Sequence, residues 1–187
     1  MTVDFDGHIP TTNGTINIDG GTMSVAQTLQ LDAGSTVNLD SGTLSVTSFS
    51  GDGSLVWNGG TLEITAPTGL TVGASGPLGA LLAIDADQAL NVTNTTTIQS
   101  GARITALGGF ASDRLTIESG GQFEAPSGYT NHDEIELSGT DARITGSVLT
   151  NDGFISGQGR INLPLTNNGQ VNVSGGTLRF GWLVTNN

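Results

Sequence analysis

Apolar and polar residues alternate over short stretches along most of this chain. In one stretch Ile16 and Ile18 are the alternating apolar residues, and in the next stretch they are Met23 and Val25. An apolar residue at every second position indicates a short β-strand with one buried face. The pattern therefore predicts an all-β chain assembled from short strands.

The alternating stretches belong to a repeated unit in which two strands flank a corner containing glycine. Clear copies occupy residues 15–25, 36–46, 54–64 and 170–180, and degenerate copies occupy 97–104, 116–123, 136–144 and 155–161. The corner glycines Gly101, Gly120 and Gly139 are 19 residues apart. A period of this length predicts a repeat architecture of roughly nine coils with about 19 residues each.

Strands this short cannot bury their apolar face alone, so each must pair with its copy in the next coil. Parallel crossovers are almost always right-handed. We therefore predict a single-stranded right-handed parallel β-helix that forms one β-solenoid domain over residues 1–187. A meander of β-hairpins is the alternative, because Asp-Gly and Asn-Gly corners also favour tight reversals.

Three details refine this prediction. Trp57 is expected in the inward slot that Ile18 and Leu39 hold in neighbouring units. Residues 65–92 fit the period worst, and they form either divergent coils or a surface loop. A Thr-Asn element precedes most units, and its stacked Asn side chains are expected to form a hydrogen-bonded ladder. These elements are at 12–14, 93–95, 130–132, 150–153 and 166–169.

Composition narrows the class of protein. Gly accounts for 29 of 187 residues against only 5 Pro, which is typical of tight turns between ordered strands. With 17 acidic residues, 5 Arg and a formal net charge of −12, the chain should repel phosphate backbones and anionic lipid. We expect no nucleic-acid partner and no membrane insertion. Cysteine is absent, so thiolate metal sites and disulfides are excluded.

Two kinds of repeated unit resemble those of a known class of proteins. They are the Gly-Gly-Thr-Leu-type units at 20–25, 41–46, 59–64 and 175–180 and the Leu-Thr-Asn units at 149–153 and 165–169. In the style of its repeats the chain resembles the β-helical segments of bacterial filamentous-haemagglutinin-type exoproteins and autotransporter passenger domains. The resemblance implies a secreted or cell-surface location. The first six residues are not a signal peptide, and the last three stop within a repeat, so we expect a segment of a longer array.

Some β-helices act on polysaccharides, and glycoside hydrolysis needs two carboxylates across a groove. The local acidic clusters are Asp85 with Asp87, and Asp133 with Glu134 and Glu136. Each cluster also fits a solvated acidic face. We expect no catalytic residue and no enzyme activity.

The imidazoles are His8 and His132, and we interpret His132 as a turn residue in the place that Asn168 takes in a later copy. Calcium is the ion that suits this composition best, with Asp19, Asp40 and Asn58 stacked at one corner as its candidate oxygen ligands. Tolerated, solvated carboxylates are the alternative. No cofactor is expected.

Two further expectations concern the surface and the ends. Thr22, Thr43, Thr61 and Thr177 recur at one position, but the second Thr of an ice-binding face is missing, and β-propensity explains them. Open solenoid ends expose unpaired strands, so end caps or self-association are required. The candidate caps are Phe5, Ile9, Phe180 and Trp182.

The function expected from the sequence is that of a structural or adhesive segment of a bacterial secreted or cell-surface protein. Its expected partners are neighbouring repeats of the same protein, a host or matrix surface, a glycan, or another copy of the chain. A carbohydrate-active β-helix that binds or cleaves polysaccharide is the alternative function.

Overall fold

The computed structural model describes the backbone of residues 2–5 and the whole of residues 14–187. These residues form β-strands joined by turns and bends, and they contain no helix. The strands are β1 Thr2–Phe5, β2 Thr15–Gln30, β3 Thr36–Ser50, β4 Ser54–Trp57, β5 Gly60–Ile64, β6 Leu70–Val72, β7 Leu81–Ile84, β8 Gln88–Ile98, β9 Arg103–Ala106, β10 Gly109–Glu118, β11 Gln122–Ala125, β12 Tyr129–Asn131, β13 Glu134–Gly146, β14 Leu149–Asn151, β15 Phe154–Asn162, β16 Leu165–Asn167, β17 Gln170–Phe180 and β18 Val184–Asn186.

Each strand pairs in parallel with at least one strand of a neighbouring turn. The chain is a β-solenoid of about nine turns with about 20 residues per turn. This confirms the predicted all-β, parallel, stacked architecture, with a turn about one residue longer than the expected 19. The meander of hairpins is wrong for these strands, because its pairs would be antiparallel. The right-handed sense of the coil stays a prediction.

Some of the Gly-containing corners lie inside long strands, whereas those at Gly59, Gly101 and Gly120 separate two strands. β2 runs through the corner at Gly20 and Gly21, and its pairing with β3 shifts register there. Gly42 has a φ of 83° and lies against the backbone of Gly21, so that a Cβ at Gly42 would overlap the carbonyl oxygen of Gly21. Corner glycines therefore permit two things at once, a left-handed backbone and close stacking of successive turns.

The chain divides into two compact units. The first comprises Met1–Gly69, Asp85–Asn94 and Gly108–Ala111. In it, β2, β3, β5 and the first half of β8 stack so that like residues lie above one another in a dry core. One such column is Met23, Leu44, Leu62 and Leu90, and the next is Val25, Val46, Ile64 and Val92. The alternation predicted the inward positions of these columns up to Ile64, and only the structure adds Leu90 and Val92.

Trp57 lies in the predicted slot but is only half-buried. It pairs in register with Leu39, which in turn pairs with Ile18. Its indole Nε1 donates a hydrogen bond to the carbonyl oxygen of Gly60 at 3.4 Å. Among the described strands, β4 pairs with β3 alone, which explains why this ring is less enclosed than Leu39.

Residues 65–92 contain β6, β7 and the beginning of β8. The pairing of Leu62 with Leu90 spans 28 residues and that of Leu70 with Thr96 spans 26, whereas the other paired turns span 16 to 22. Part of the extra length is a compact loop in which the Gly76 N–H donates to Gly73 and the Gly79 N–H to Gly76, each at 3.0 Å. The choice between divergent coils and a surface loop, and the single domain over 1–187, stay predictions.

The second unit comprises Leu70–Ile84, Thr95–Leu107 and Ser112–Asn187. β9, β11, β13, β15 and β17 stack in it, with a buried column of Ile104, Phe123, Ile144 and Ile161. A separate four-stranded sheet of β12, β14, β16 and β18 stacks the Thr-Asn elements of successive turns. Within the described ranges, no helix is long and apolar enough to cross a membrane.

Candidate functional surface

The Thr-Asn elements of the second unit form an asparagine ladder that is buried at its first three members and exposed at the last. Asn131, Asn151, Asn167 and Asn186 lie in direct register on β12, β14, β16 and β18. Each Nδ2 group donates to the Oδ1 atom of the next asparagine, at 2.6, 2.7 and 2.7 Å. This confirms the predicted ladder for these four turns. Asn94 belongs to another arrangement, with its Nδ2 donating to the carbonyl oxygen of Ala66 at 3.1 Å, and Asn13 lies outside the described residues.

The same side-chain amides also donate hydrogen bonds to backbone carbonyl oxygens in the turns that follow the short strands. The Nδ2 group of Asn151, whose side chain is fully buried, reaches the carbonyl oxygens of Gly153 at 3.4 Å and Gln170 at 3.2 Å. Asn131 makes the equivalent contact with the carbonyl oxygen of Phe154 at 3.1 Å. Because a buried polar group is costly unless it is hydrogen-bonded, this column holds the turns together rather than providing a reactive site.

A second, exposed row of polar side chains runs beside the ladder. Asn168 Nδ2 donates to Asp152 Oδ1 at 2.8 Å, and Asn187 Nδ2 donates to Asn168 Oδ1 at 2.7 Å. His132 lies in the same row, with its Nδ1 atom 3.5 Å from Asp152 Oδ2. The prediction that His132 takes the place of Asn168 is confirmed, since Asn131, Asn151 and Asn167 precede these residues in register. His8 lies outside the described residues.

The two acidic clusters lie in exposed turns and on the outer face of a strand. Asp85 and Asp87 are exposed in the turn that precedes β8. Glu134 and Glu136 share the outer face of β13, as their spacing predicts, and Arg114 of β10 binds both. The Arg114 Nε atom donates to Glu134 Oε2 at 2.8 Å, and its Nη1 atom is 3.9 Å from Glu136 Oε2. Asp133 is exposed in the preceding turn.

At the corner proposed for calcium, the three candidate ligands do not all stack above one another. Asn58 Nδ2 donates to Asp40 Oδ1 at 2.7 Å, while Asp19 pairs in register with Ser41 and not with Asp40. No group of three or more His, Cys, Asp or Glu side chains in the described part of the chain is arranged to hold a metal ion. Calcium binding at Asp19, Asp40 and Asn58 stays a prediction.

The structure also shows where the recurring threonines and the candidate end caps lie. Thr22, Thr43 and Thr61 lie in register and are half-exposed. Phe180 pairs in register with Ile161 and is 36% exposed, and Trp182 is 65% exposed. Ile9 and the side chain of Phe5 lie outside what the structure describes. The capping role of these aromatic residues stays a prediction.

Four of the five arginines lie in one column on the outer face of the second unit. Arg143 pairs in register with Arg160, and Arg160 pairs with Arg179. Gln122 continues the column on β11, where it pairs with both Arg143 and Arg103. The column therefore runs through five successive turns, with one guanidinium on each except the turn of Gln122. We call these five residues the arginine column.

Few carboxylates accompany the arginine column. Arg103 Nη1 is 3.8 Å from Glu124 Oε2, and Arg160 Nη2 is 3.9 Å from Asp141 Oδ1. Within the described residues, Arg143 and Arg179 have no ion pair. Arg103, Arg160 and Arg179 are exposed, and Arg143 is half-exposed.

The sequence carries a signal for this column beside the repeat of apolar positions. In four repeats an arginine directly precedes the same inward apolar position, at Arg103-Ile104, Arg143-Ile144, Arg160-Ile161 and Arg179-Phe180. All five arginines lie between positions 103 and 179, and a count of them does not reveal that four are aligned. Only the register of the turns brings four of them together.

Tyr129, the single tyrosine, lies at the start of the asparagine-ladder sheet. Its ring packs edge-on against Phe123, with ring centroids 5.0 Å apart at 74°. Burial, and secondly the nearby carboxylate of Asp133, raise the pKa of Tyr129 to about 12. The half-buried phenol is therefore protonated at neutral pH.

Comparisons with protein-family models, with curated proteins and with solved structures found no match for this chain. The solenoid architecture agrees with the resemblance noted in the repeats, but no family model or relative supports a membership in the haemagglutinin-type exoproteins or the autotransporters.

Proposed function

We propose that this chain is a structural or adhesive segment of a secreted or cell-surface protein, most similar in kind to bacterial exoproteins with β-helical repeats. Its role is to present a regular outer surface on an internally bonded scaffold, without catalysis. The observation that carries the proposal is the asparagine ladder, in which the buried Asn131, Asn151 and Asn167 and the exposed Asn186 bond from turn to turn.

The ladder supports a scaffold because its bonds run between turns. Each asparagine donates to its counterpart in the next turn, and the Nδ2 groups of Asn131 and Asn151 also bond the backbone of that turn. A turn cannot open without leaving buried amide groups unpaired, which is costly. A scaffold that resists local opening suits a segment that holds other surfaces in place.

Hydrogen exchange tests the scaffold directly. We expect the backbone amides of β13, β14, β15 and β16 to exchange slowly and with similar protection, because their turns share one ladder and one core. The exposed amides of Ala74 and Ser75 serve as the internal comparison. Rapid exchange through β13 and β15 at neutral pH would contradict a scaffold role.

The catalytic alternative is tested by turnover. The Glu134 and Glu136 carboxylates are engaged by Arg114, which favours a structural role for them. We expect no new reducing ends and no unsaturated products when the protein is incubated with polygalacturonate, hyaluronate or xylan. Turnover that is lost in Asp85→Asn or Glu134→Gln, but kept in the control Asp52→Asn, would replace the scaffold proposal with a carbohydrate-active enzyme.

A further inference from the structure

The arginine column is not explained by folding. Parallel strands lie about 4.8 Å apart, so the guanidinium-bearing positions of Arg143, Arg160 and Arg179 follow one another at that step. Like charges directly opposite each other on a sheet are destabilising. In a chain with 17 acidic residues and only 5 arginines, other residues could occupy these aligned positions. The alignment therefore calls for a ligand that the cations bind together.

The local charge is opposite to that of the whole chain. Four arginines in the column face the two carboxylates of Glu124 and Asp141, whereas the chain as a whole has a formal charge of −12. The column is thus a narrow positive stripe on an acidic protein. An anionic ligand gains attraction along this line and repulsion on either side of it.

Mostly uncharged polar side chains flank the stripe. The positions two residues further along the strands hold Thr105, Glu124, Thr145 and Asn162, and Glu124 is the one carboxylate in this row. Beside Arg160 and Arg179, a shallow depression is lined by Gln158, Gly159, Gly176 and Thr177. Amide and hydroxyl groups of this kind exchange hydrogen bonds with sugar hydroxyls.

We propose that the arginine column binds a linear acidic polysaccharide, with the glycan chain lying along the stack and its anionic groups on Arg103, Arg143, Arg160 and Arg179. The planar guanidinium group matches a carboxylate or sulfate with two parallel hydrogen bonds. This inference names the ligand of the proposed adhesive segment and rests on that function. A single line of cations fits one narrow chain, whereas a nucleic acid carries closely spaced phosphates that the surrounding acidic surface repels.

The test measures binding of the intact chain to defined polymers by biolayer interferometry. The probes are oligogalacturonate for carboxylate groups, dextran sulfate for sulfate groups, neutral dextran, and single-stranded DNA. We expect binding to oligogalacturonate or dextran sulfate and none to neutral dextran. The stronger of the two acidic arms identifies the anionic group.

Matched variants separate the column from overall charge. Arg143→Gln and Arg160→Gln are each expected to weaken binding about five- to tenfold. Arg114→Gln removes the same charge away from the column and should change binding less than about twofold. Gln122→Arg fills the gap in the column and should tighten binding. Thermal unfolding of each variant checks that the fold is kept.

Each result decides the matter. Loss of binding in the column variants with retention in Arg114→Gln supports the proposal. Equal loss in Arg114→Gln, absence of binding to both acidic polymers, or tighter binding to single-stranded DNA would overturn it. Failure to bind leaves the scaffold function standing, whereas shortening of the bound polymer would overturn the scaffold function and leave the binding stripe in place.

Discussion

At the scale of single residues, the tightest positions are glycines that lie directly over a carbonyl group of the neighbouring turn. Gly157 is buried, has a φ of 98°, and pairs in register with Leu137. A Cβ at this position would overlap the carbonyl oxygen of Leu137. Gly101 also has a positive φ, of 76°, but no atom lies within 4 Å of its would-be Cβ.

The pair allows backbone strain and close stacking to be separated. Gly157→Ala should lower the free energy of unfolding by about 3 kcal/mol, because it adds both strain and overlap. Gly101→Ala should cost about 1 kcal/mol, since only the left-handed backbone is penalised. Urea denaturation measures both. Equal losses would mean that the turns move apart easily at Gly157.

Tyr129 provides a pH-dependent measure of the packing at the start of the ladder sheet. Its pKa in the folded protein, about 12, lies above the ordinary value of 10.0. The neutral phenol is therefore favoured by folding. Its contribution to stability is complete below pH 10 and is lost as the pH rises through about 12.

Because the chain has one tyrosine, the absorbance of tyrosinate reports this residue alone. We expect the folded protein to titrate near 12 and the urea-unfolded protein near 10. Asp133→Asn should move the folded midpoint slightly downward, since the carboxylate is the smaller of the two causes. A folded midpoint near 10 would show that the ring is solvated.

At the scale of elements, the asparagine ladder couples strands that have only three residues each. β12, β14 and β16 are too short to be stable by backbone pairing alone. Buried Nδ2–Oδ1 bonds between equivalent asparagines add a specific contact at every turn. The exposed row of Asp152, Asn168 and Asn187 copies this geometry in water, where such bonds contribute less.

These two rows make a matched comparison. Asn151→Ala removes bonds to Asn131 and Asn167 and leaves their amides unpaired in the core. We expect a loss of about 2–4 kcal/mol in the free energy of unfolding. Asn168→Ala removes the corresponding exposed bonds and should cost less than about 1 kcal/mol. Similar losses in the two variants would contradict the role assigned to the buried ladder.

At the scale of the whole molecule, negative charge dominates. The chain has a formal charge of −12 and no lysine. Repulsion among its carboxylates therefore disfavours the folded state, and this effect is larger at low salt than at high salt. Raising the ionic strength from about 0.01 M to about 0.15 M shortens the screening length from about 30 Å to about 8 Å. Stability should then increase by about 1 kcal/mol, or about 2–4 °C in Tm.

Differential scanning calorimetry over this range of sodium chloride measures the effect. A fall in Tm with added salt would mean that the ion pairs of Arg103, Arg114 and Arg160 outweigh the general repulsion. The same salt should weaken binding of an acidic polysaccharide to the arginine column, because that contact is itself electrostatic. Added salt is therefore expected to raise the stability of the protein and to lower its affinity for a polyanion.

The sequence alone determined the class of fold, because the period-2 alternation and the repeated Gly corners are local signals that every turn expresses. The inward positions of Leu44, Leu62 and Ile144, and the ladder through Asn151, follow from that repetition. Tertiary structure decided what depends on register. Steps of 16 to 28 residues between paired strands are set by the packing of whole turns, and they placed Asp19 beside Ser41 instead of Asp40. The same register brought four scattered arginines into one column, since alignment across turns exists only once the turns are stacked.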